Sequence, residues 1–325
     1  MPGPDLLGPP ERRWRLHTED QVLSSPAVVA GVVYVGSSDN SVYAVTTAGD
    51  RLWRYATDDD VSSSPTVIDG VVYIGSIDGY LYALDAESGE RSWRAPVGQI
   101  VSAPVVAGDS IYVGSWDGNL YALDTQSGEQ QWAFQTGAEI FSSPALDDGL
   151  LYAANVVGVL FAIDALTGTE LWQREINAQI SSPAVSGETL FIGSVDGNLY
   201  ALDALTGEDL WQFTTSGPVM SSPAVSDGTV YFSSNAGTLY AVDAASGELS
   251  WSYALGGELI SSPAVGPELV YAGSMNGALV ALDRASGALQ WTVTVEDGVY
   301  SSPAVVDAML FVGGTDGRLY AFGEP

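Results

Sequence analysis

The sequence predicts an all-β fold, an eight-bladed β-propeller, and three observations predict it. Tryptophan recurs at Trp14, Trp53, Trp93, Trp132, Trp172, Trp211, Trp251 and Trp291, always 39 or 40 residues apart. A proline, mostly after a Ser-Ser pair, recurs with the same step at Pro26, Pro65, Pro104, Pro144, Pro183, Pro223, Pro263 and Pro303. Turn residues punctuate each unit at fixed places, and no segment sustains a 3.6-residue apolar period, so no helix is expected.

Each unit of about 40 residues reads as four short strands. In the unit from Ser181, a small-residue strand runs to Ser186 and an apolar strand covers Thr189 to Gly193. Asn198 to Leu202 alternates, and Leu210 to Thr214 carries the tryptophan. Asp196-Gly197 is a tight hairpin signal, because glycine accepts the positive φ of a two-residue turn. Asp203 to Gly207 is the longer turn, its aspartate placed to cap backbone amides. A four-stranded sheet of this length cannot bury both faces alone. Units stacked around an axis bury them and leave short edges. An open solenoid would need polar capping units, and neither end has one.

The chain begins with a tryptophan strand, Arg12 to Leu16, and ends with three strands, Ser301 to Phe322, that lack one. The N-terminal strand is therefore expected to complete the last blade. Residues 1–10, rich in proline and glycine, are expected to be a disordered leader, and residues 11–323 one propeller domain.

Composition narrows the function. Forty acidic residues stand against ten basic ones, all arginine, for a formal charge of −30. That balance excludes a nucleic-acid binder and disfavours an anionic membrane surface. There is no cysteine, hence no disulfide, thiolate metal site or cysteine nucleophile. No apolar run reaches the length of a membrane helix. Met1 to Arg13 has no signal core: a cytoplasmic protein is expected if Met1 is native, an extracytoplasmic one if an export signal was removed.

The string Leu-Tyr-Ala-Leu-Asp-Ala-x-x-Gly-Glu-x-x-Trp, at Leu81 to Trp93 and Leu199 to Trp211, resembles the repeat of pyrroloquinoline-quinone (PQQ) enzyme propellers. It is equally similar to the PQQ-like, BamB-like repeat proteins that hold no cofactor, and to sensor propellers of bacterial serine/threonine kinases. The resemblance covers all eight units and implies the fold. Quinoproteins of this kind have insertions around a cofactor chamber, often under a vicinal disulfide. Here the units are uniform and cysteine is absent.

Catalytic constellations are missing. His17 has no histidine or cysteine partner, there is no nucleophile elbow, and there is no phosphate loop. Glu19-Asp20 and Asp58-Asp59-Asp60 read as a solvated acidic rim rather than a calcium loop, and no metal ligands are assigned.

The informative positions are those that change from unit to unit. Three residues before each repeat proline stand Leu23, Ser62, Val101, Phe141, Ile180, Met220, Ile260 and Tyr300. Just before the hairpin turn stand Ser38, Ile77, Trp116, Val156, Val195, Asn235, Met275 and Thr315. Strand alternation sends both sets to one end of the ring. Candidate partner-binding residues are Trp116, Phe141, Val156, Val157, Met220 and Tyr300. The expected function is a non-catalytic, monomeric scaffold that engages a protein or peptide through this loop-rich face, without a cofactor. The alternatives are a minimal PQQ- and calcium-dependent or other propeller enzyme, and a sensor module of a larger receptor or kinase.

Overall fold

Each unit makes one antiparallel four-stranded sheet, and the described residues contain eight of them and no helix. The computed structural model describes residues 4–177, 179 and 181–324. Blades 1 to 7 span 27–56, 66–96, 105–135, 145–175, 184–214, 224–254 and 264–294. Blade 8 joins 304–323 to the N-terminal strand Glu11–His17, which pairs antiparallel with Arg318–Gly323. The N-terminal strand thus completes the last blade and closes the ring without a covalent link.

The innermost strand of each blade is shorter than its sequence suggests. In blade 5 it is Ala184–Ser186, without Ser181, Ser182 and Pro183. The reason lies in where those residues spend their hydrogen bonds. Proline has no N–H for the ladder. The first serine of each pair is buried and bonds the second strand of its own blade, as Ser181 Oγ accepts from Gly193 N at 3.0 Å. The second serine faces the next blade. Ser25 N donates to Ser64 Oγ, and Ser143, Ser182, Ser222, Ser262 and Ser302 N–H groups donate likewise, each to the next hydroxyl round the ring. Ala103 N donates to Ser143 Oγ, but Ala103 carries no hydroxyl for Ser64, so this belt of seven links has one gap.

The apolar cores lie between blades. One cluster joins Tyr34, Val42 and Trp53 of blade 1 to Val72, Ile74 and Tyr82 of blade 2, and the pattern recurs round the ring. Six of the repeat tryptophans reach the next blade's Asp-x-x-x-Gly turn and donate to the carbonyl one residue after the aspartate, and Trp14 does the same at Thr47 O of the Thr46-to-Gly49 turn. Trp53 Nε1 to Ala86 O at 3.0 Å and Trp132 Nε1 to Ala165 O at 3.1 Å are examples. The turn glycine lies flat under the ring: at Gly128, with φ of 70°, a Cβ would meet Trp93 Cε3 at 2.6 Å. A tyrosine of the second strand often donates to the same carbonyl, as Tyr34 does to Ala86 O.

Blade 8 has no such turn, because its third and fourth strands come from opposite ends of the chain. Residues 4–10 fill the place, which corrects the expectation of a disordered leader for the described part; Met1–Gly3 lie outside the described residues. Leu6 is fully buried, and its carbonyl accepts the Trp291 indole N–H at 2.7 Å. Leu6 N donates to Tyr271 Oη, and the Asp5 carboxylate accepts from Leu269 N and Tyr271 Oη. Asp5-Leu6 reproduces the opening of the repeat's own turn, so a segment that reads as proline-rich disorder is an inter-blade clamp.

Candidate functional site

The loops before the inner strands and the hairpins between second and third strands emerge at the same end of the ring. There, around the axis, is a cup of about 510 Å³. Its wall takes Leu23, Val101, Phe141, Met220, Ile260 and Tyr300 from the first variable set, with Ser62. Ile77 and Trp116 join from the hairpin set. Its floor is the belt of hydroxyls at Ser25, Ser64, Ser222, Ser262 and Ser302. Ile180, from the first set, lies outside the described residues.

Four of the six candidate residues thus meet in one cavity: Trp116, Phe141, Met220 and Tyr300. Trp116 and Phe141 stand on neighbouring blades with ring centroids 5.1 Å apart and planes tilted by 47°. Both are partly exposed. Trp116 Nε1 is enclosed and has no acceptor among the described residues. Tyr300 is 36% exposed, and burial raises the pKa of its hydroxyl. Met220 Sδ lies 2.9 Å from Asn235 Nδ2, which donates to it.

Val156 and Val157 do not line the cup. Val157 is 65% exposed at the tip of the blade 4 hairpin. The cause is local. In most blades the hairpin aspartate accepts from a tyrosine four residues on, as Asp117 does from Tyr121 Oη at 2.6 Å and Asp196 from Tyr200 Oη at 2.7 Å. Burial, then that hydrogen bond, pushes Tyr121 up to about 12. In blade 4 both partners are replaced, by Val157 and Phe161, and Phe161 packs edge-on against Phe134 with centroids 5.5 Å apart. Asn155 Nδ2 ties this hairpin to Thr136 O at 3.0 Å.

Asp60 is the member of the cup that motif reading passed over as part of the acidic rim. Its backbone carbonyl accepts from Ile77 N at 2.9 Å, a bond its counterparts in other blades also make. The side chain at that position is free to vary, and here it puts a carboxylate into the cup wall. Burial, and then Asp59 and Asp20, raise the pKa of Asp60. No arginine or other donor bonds its carboxylate among the described residues. The available signal was positional: two residues before the first variable set, the alternation of an extended chain returns to the same side.

His17 is the exposed last residue of the N-terminal strand. Among the described residues, no group of three or more histidines, aspartates and glutamates is arranged to hold a metal ion. No helix is long and apolar enough to cross a membrane.

The sequence matches the family model described as outer membrane protein assembly factor BamB over residues 11–64, 42–182, 158–262 and 254–324. No curated protein sequence matches it. Among solved structures, BamB from Moraxella catarrhalis is 20% identical, with a TM-score of 0.84 over 97% of this chain and 99% of that one. The computationally designed Ika8 protein is 18% identical, with a TM-score of 0.86 over 96% and 99%. A quinohemoprotein alcohol dehydrogenase from Comamonas testosteroni is 18% identical, with a TM-score of 0.81 over 99% of this chain and 79% of that one. At these identities the likeness is one of fold.

Proposed function

The chain belongs to the family of the outer membrane protein assembly factor BamB, and on that premise we propose that it is a non-catalytic scaffold that holds a protein or peptide at its cup face. The observation that supports this reading is the cup itself. Its floor is built from positions that repeat in nearly every blade, and its wall from positions that vary from blade to blade. Groups the ring needs for closure are constant. An aromatic pair left partly exposed at the axis is not among them, and exposed apolar surface of this kind is a contact surface.

An enzyme reading finds little to work with. The cup offers the serine hydroxyls of the belt, the hydroxyls of Ser62 and Tyr300, and a single carboxylate. PQQ with calcium would bring three carboxylates and a divalent cation. The wall has no arginine to face the former and no acidic cluster to hold the latter, so this donor set does not fit that group. Added PQQ and calcium are expected to give no quinone absorbance and no dye-linked alcohol oxidation; turnover would reverse the assignment.

The direct test is the double variant Trp116→Ala with Phe141→Ala. Aromatic anchors at interface centres each contribute roughly 2 kcal/mol or more, about thirtyfold in affinity. The variant should lose capture of the partner from source lysate while melting within a few degrees of the parent. Unfolding would instead make these residues blade core, and unchanged capture would move the contact elsewhere.

A further inference from the structure

Resting on the scaffold reading, we propose that the cup selects a cationic amphipathic peptide, one that seats a bulky apolar side chain against Trp116 and Phe141 and pairs a lysine or arginine with Asp60. Size, polarity and charge each bear on this.

A volume of about 510 Å³ is large for one side chain and suits two neighbouring ones. The wall from Ile77 through Val101 to Trp116 and Phe141 is continuous over blades 2, 3 and 4 and wholly apolar. Into its blade 2 end projects Asp60. Glu139 and Glu258 occupy the same repeat position in blades 4 and 7 but stay outside the cup. The carboxylate therefore lies at one edge of an aromatic wall, an arrangement that holds a cation by charge at the head and apolar contact along the stem.

Nothing in the ring neutralises that edge. Three acids elsewhere on this face are paired: Glu296 with Arg15 and Arg318, and, at longer range, Asp58 with Arg94 at 3.8 Å and Glu19 with Arg54 at 3.9 Å. Asp60 has no such partner among the described residues, and Asp59 and Asp20 crowd it. Burial first, and then that crowding, raise the pKa of Asp60. A bound cation would relieve it, so binding should weaken as pH falls and Asp60 is protonated. Because Asp59 and Asp20 lie outside the cup, a ligand that extends over the rim meets a second negative site. That favours a peptide over a compact ion. The formal charge of −30 steers the same class of ligand towards the protein.

The chain's own N-terminal segment is not the occupant. Asp5 and Leu6 are bound at the opposite end of the ring, in the turn position beside Trp291.

The test uses two fluorescein-labelled synthetic peptides, Gly-Lys-Leu-Phe-Lys-Gly-amide and Gly-Glu-Leu-Phe-Glu-Gly-amide, titrated with the full chain and followed by anisotropy. The basic peptide should bind, more weakly as salt rises, and the acidic one should not. Asp60→Asn, which removes a strained charge and keeps the shape, should weaken the basic peptide by about tenfold, with the melting curve intact. Trp116→Ala should weaken it further. Equal affinity for Asp60→Asn and the parent overturns the proposal. If both peptides bind alike and Trp116→Ala abolishes both, the charge selection falls while the cup stands as the binding site. If the basic peptide binds but Trp116→Ala leaves it unchanged, both the selection and the cup reading fall. Failure of the basic peptide to bind also overturns the proposal.

Discussion

The two ends of the ring are made from the same backbone but use it differently. At the turn end, each aspartate caps its own turn, as Asp203 does by accepting from Thr206 N at 2.8 Å, and the carbonyl that follows is held by the neighbouring tryptophan. At the cup end, the backbone bonds are just as regular: Trp116 N donates to Gln99 O and Met275 N to Glu258 O, both at 2.9 Å. Yet the side chains there run from serine to tryptophan. Where a side chain makes the inter-blade bond, the sequence repeats; where the backbone makes it, the side chain is free for other duty. Constancy in a repeat protein thus marks the hydrogen-bonding group, and variation marks surface available to a partner.

The strongest way to break the turn end is to remove its non-covalent stand-in together with the strand that follows. Deleting residues 1–17 strips blade 8 of its outer strand, leaves Arg318–Gly323 with an open edge, and removes the Trp14 indole bond to Thr47 O at 2.8 Å. An unpaired edge of this kind invites association. The truncated chain should elute as aggregate in size-exclusion chromatography and show no cooperative melt. A soluble monomer with a sharp transition would mean that the ring closes without this strand.

A smaller cut separates strand from clamp. Deleting residues 1–8 leaves Glu11–His17 in place but empties the site beside Trp291, and Leu6→Ala removes the buried side chain there while keeping the carbonyl that Trp291 bonds. Loss of a buried leucine costs about 2–4 kcal/mol. The denaturant midpoint should fall accordingly in both variants. Composition alone leads to the opposite expectation, that removing a proline- and glycine-rich leader is neutral.

That contrast marks what could be read from sequence. Blade number, strand order and closure were legible because Trp14 and its seven successors sit where a side chain must bond the next blade, and such a requirement leaves an unbroken period. The wall of the cup was legible as a set, since Trp116, Phe141, Met220 and Tyr300 depart from repeats that are otherwise regular. Asp5-Leu6-Leu7-Gly8 was not, although it starts like the repeat's own turn, because it stands nine residues before Trp14 where Asp85 stands eight before Trp93, among four prolines. Val157 stands apart from that set: it breaks the pattern jointly with Phe161 and lies exposed at the hairpin tip, outside the cup. Asp60 was hidden because acidic residues are common here and their direction depends on strand alternation.

The tryptophan–carbonyl clamps are not equal, and their differences sharpen the comparison. Ala86 O accepts from both Trp53 and Tyr34, whereas blade 5 has Phe191 in place of that tyrosine, so Ala244 O receives Trp211 Nε1 alone, at 3.0 Å. Trp→Phe keeps an aromatic ring at either site and removes the N–H. An acceptor left without a donor costs more than one that keeps a second, by about 1 kcal/mol. Trp211→Phe should therefore destabilise more than Trp53→Phe by that margin in chemical denaturation, and equal losses would mean that the tyrosine hydroxyl contributes nothing.

The smallest effect concerns the floor of the cup, where the constant and variable regions touch. The serine belt is interrupted only at Ala103, and Ser64 N has no partner there among the described residues, while Ala103 N itself donates to Ser143 Oγ at 2.8 Å. Ala103→Ser should supply the missing hydroxyl, since six links join the second serine of one pair to the next and Ala103 N already donates to Ser143 Oγ in the same way. A made hydrogen bond is worth about 0.5–1.5 kcal/mol net; fixing a serine rotamer subtracts part of it, so a gain of about 0.5 kcal/mol is expected in the denaturant midpoint. Hydrogen exchange at the Ser64 amide should slow at the same time, which a general change in stability would not do for one amide alone. If the midpoint falls and Ser64 exchanges as before, the belt is a by-product of close packing, and the gap at Ala103 reflects a blade spacing that the hydroxyl cannot bridge.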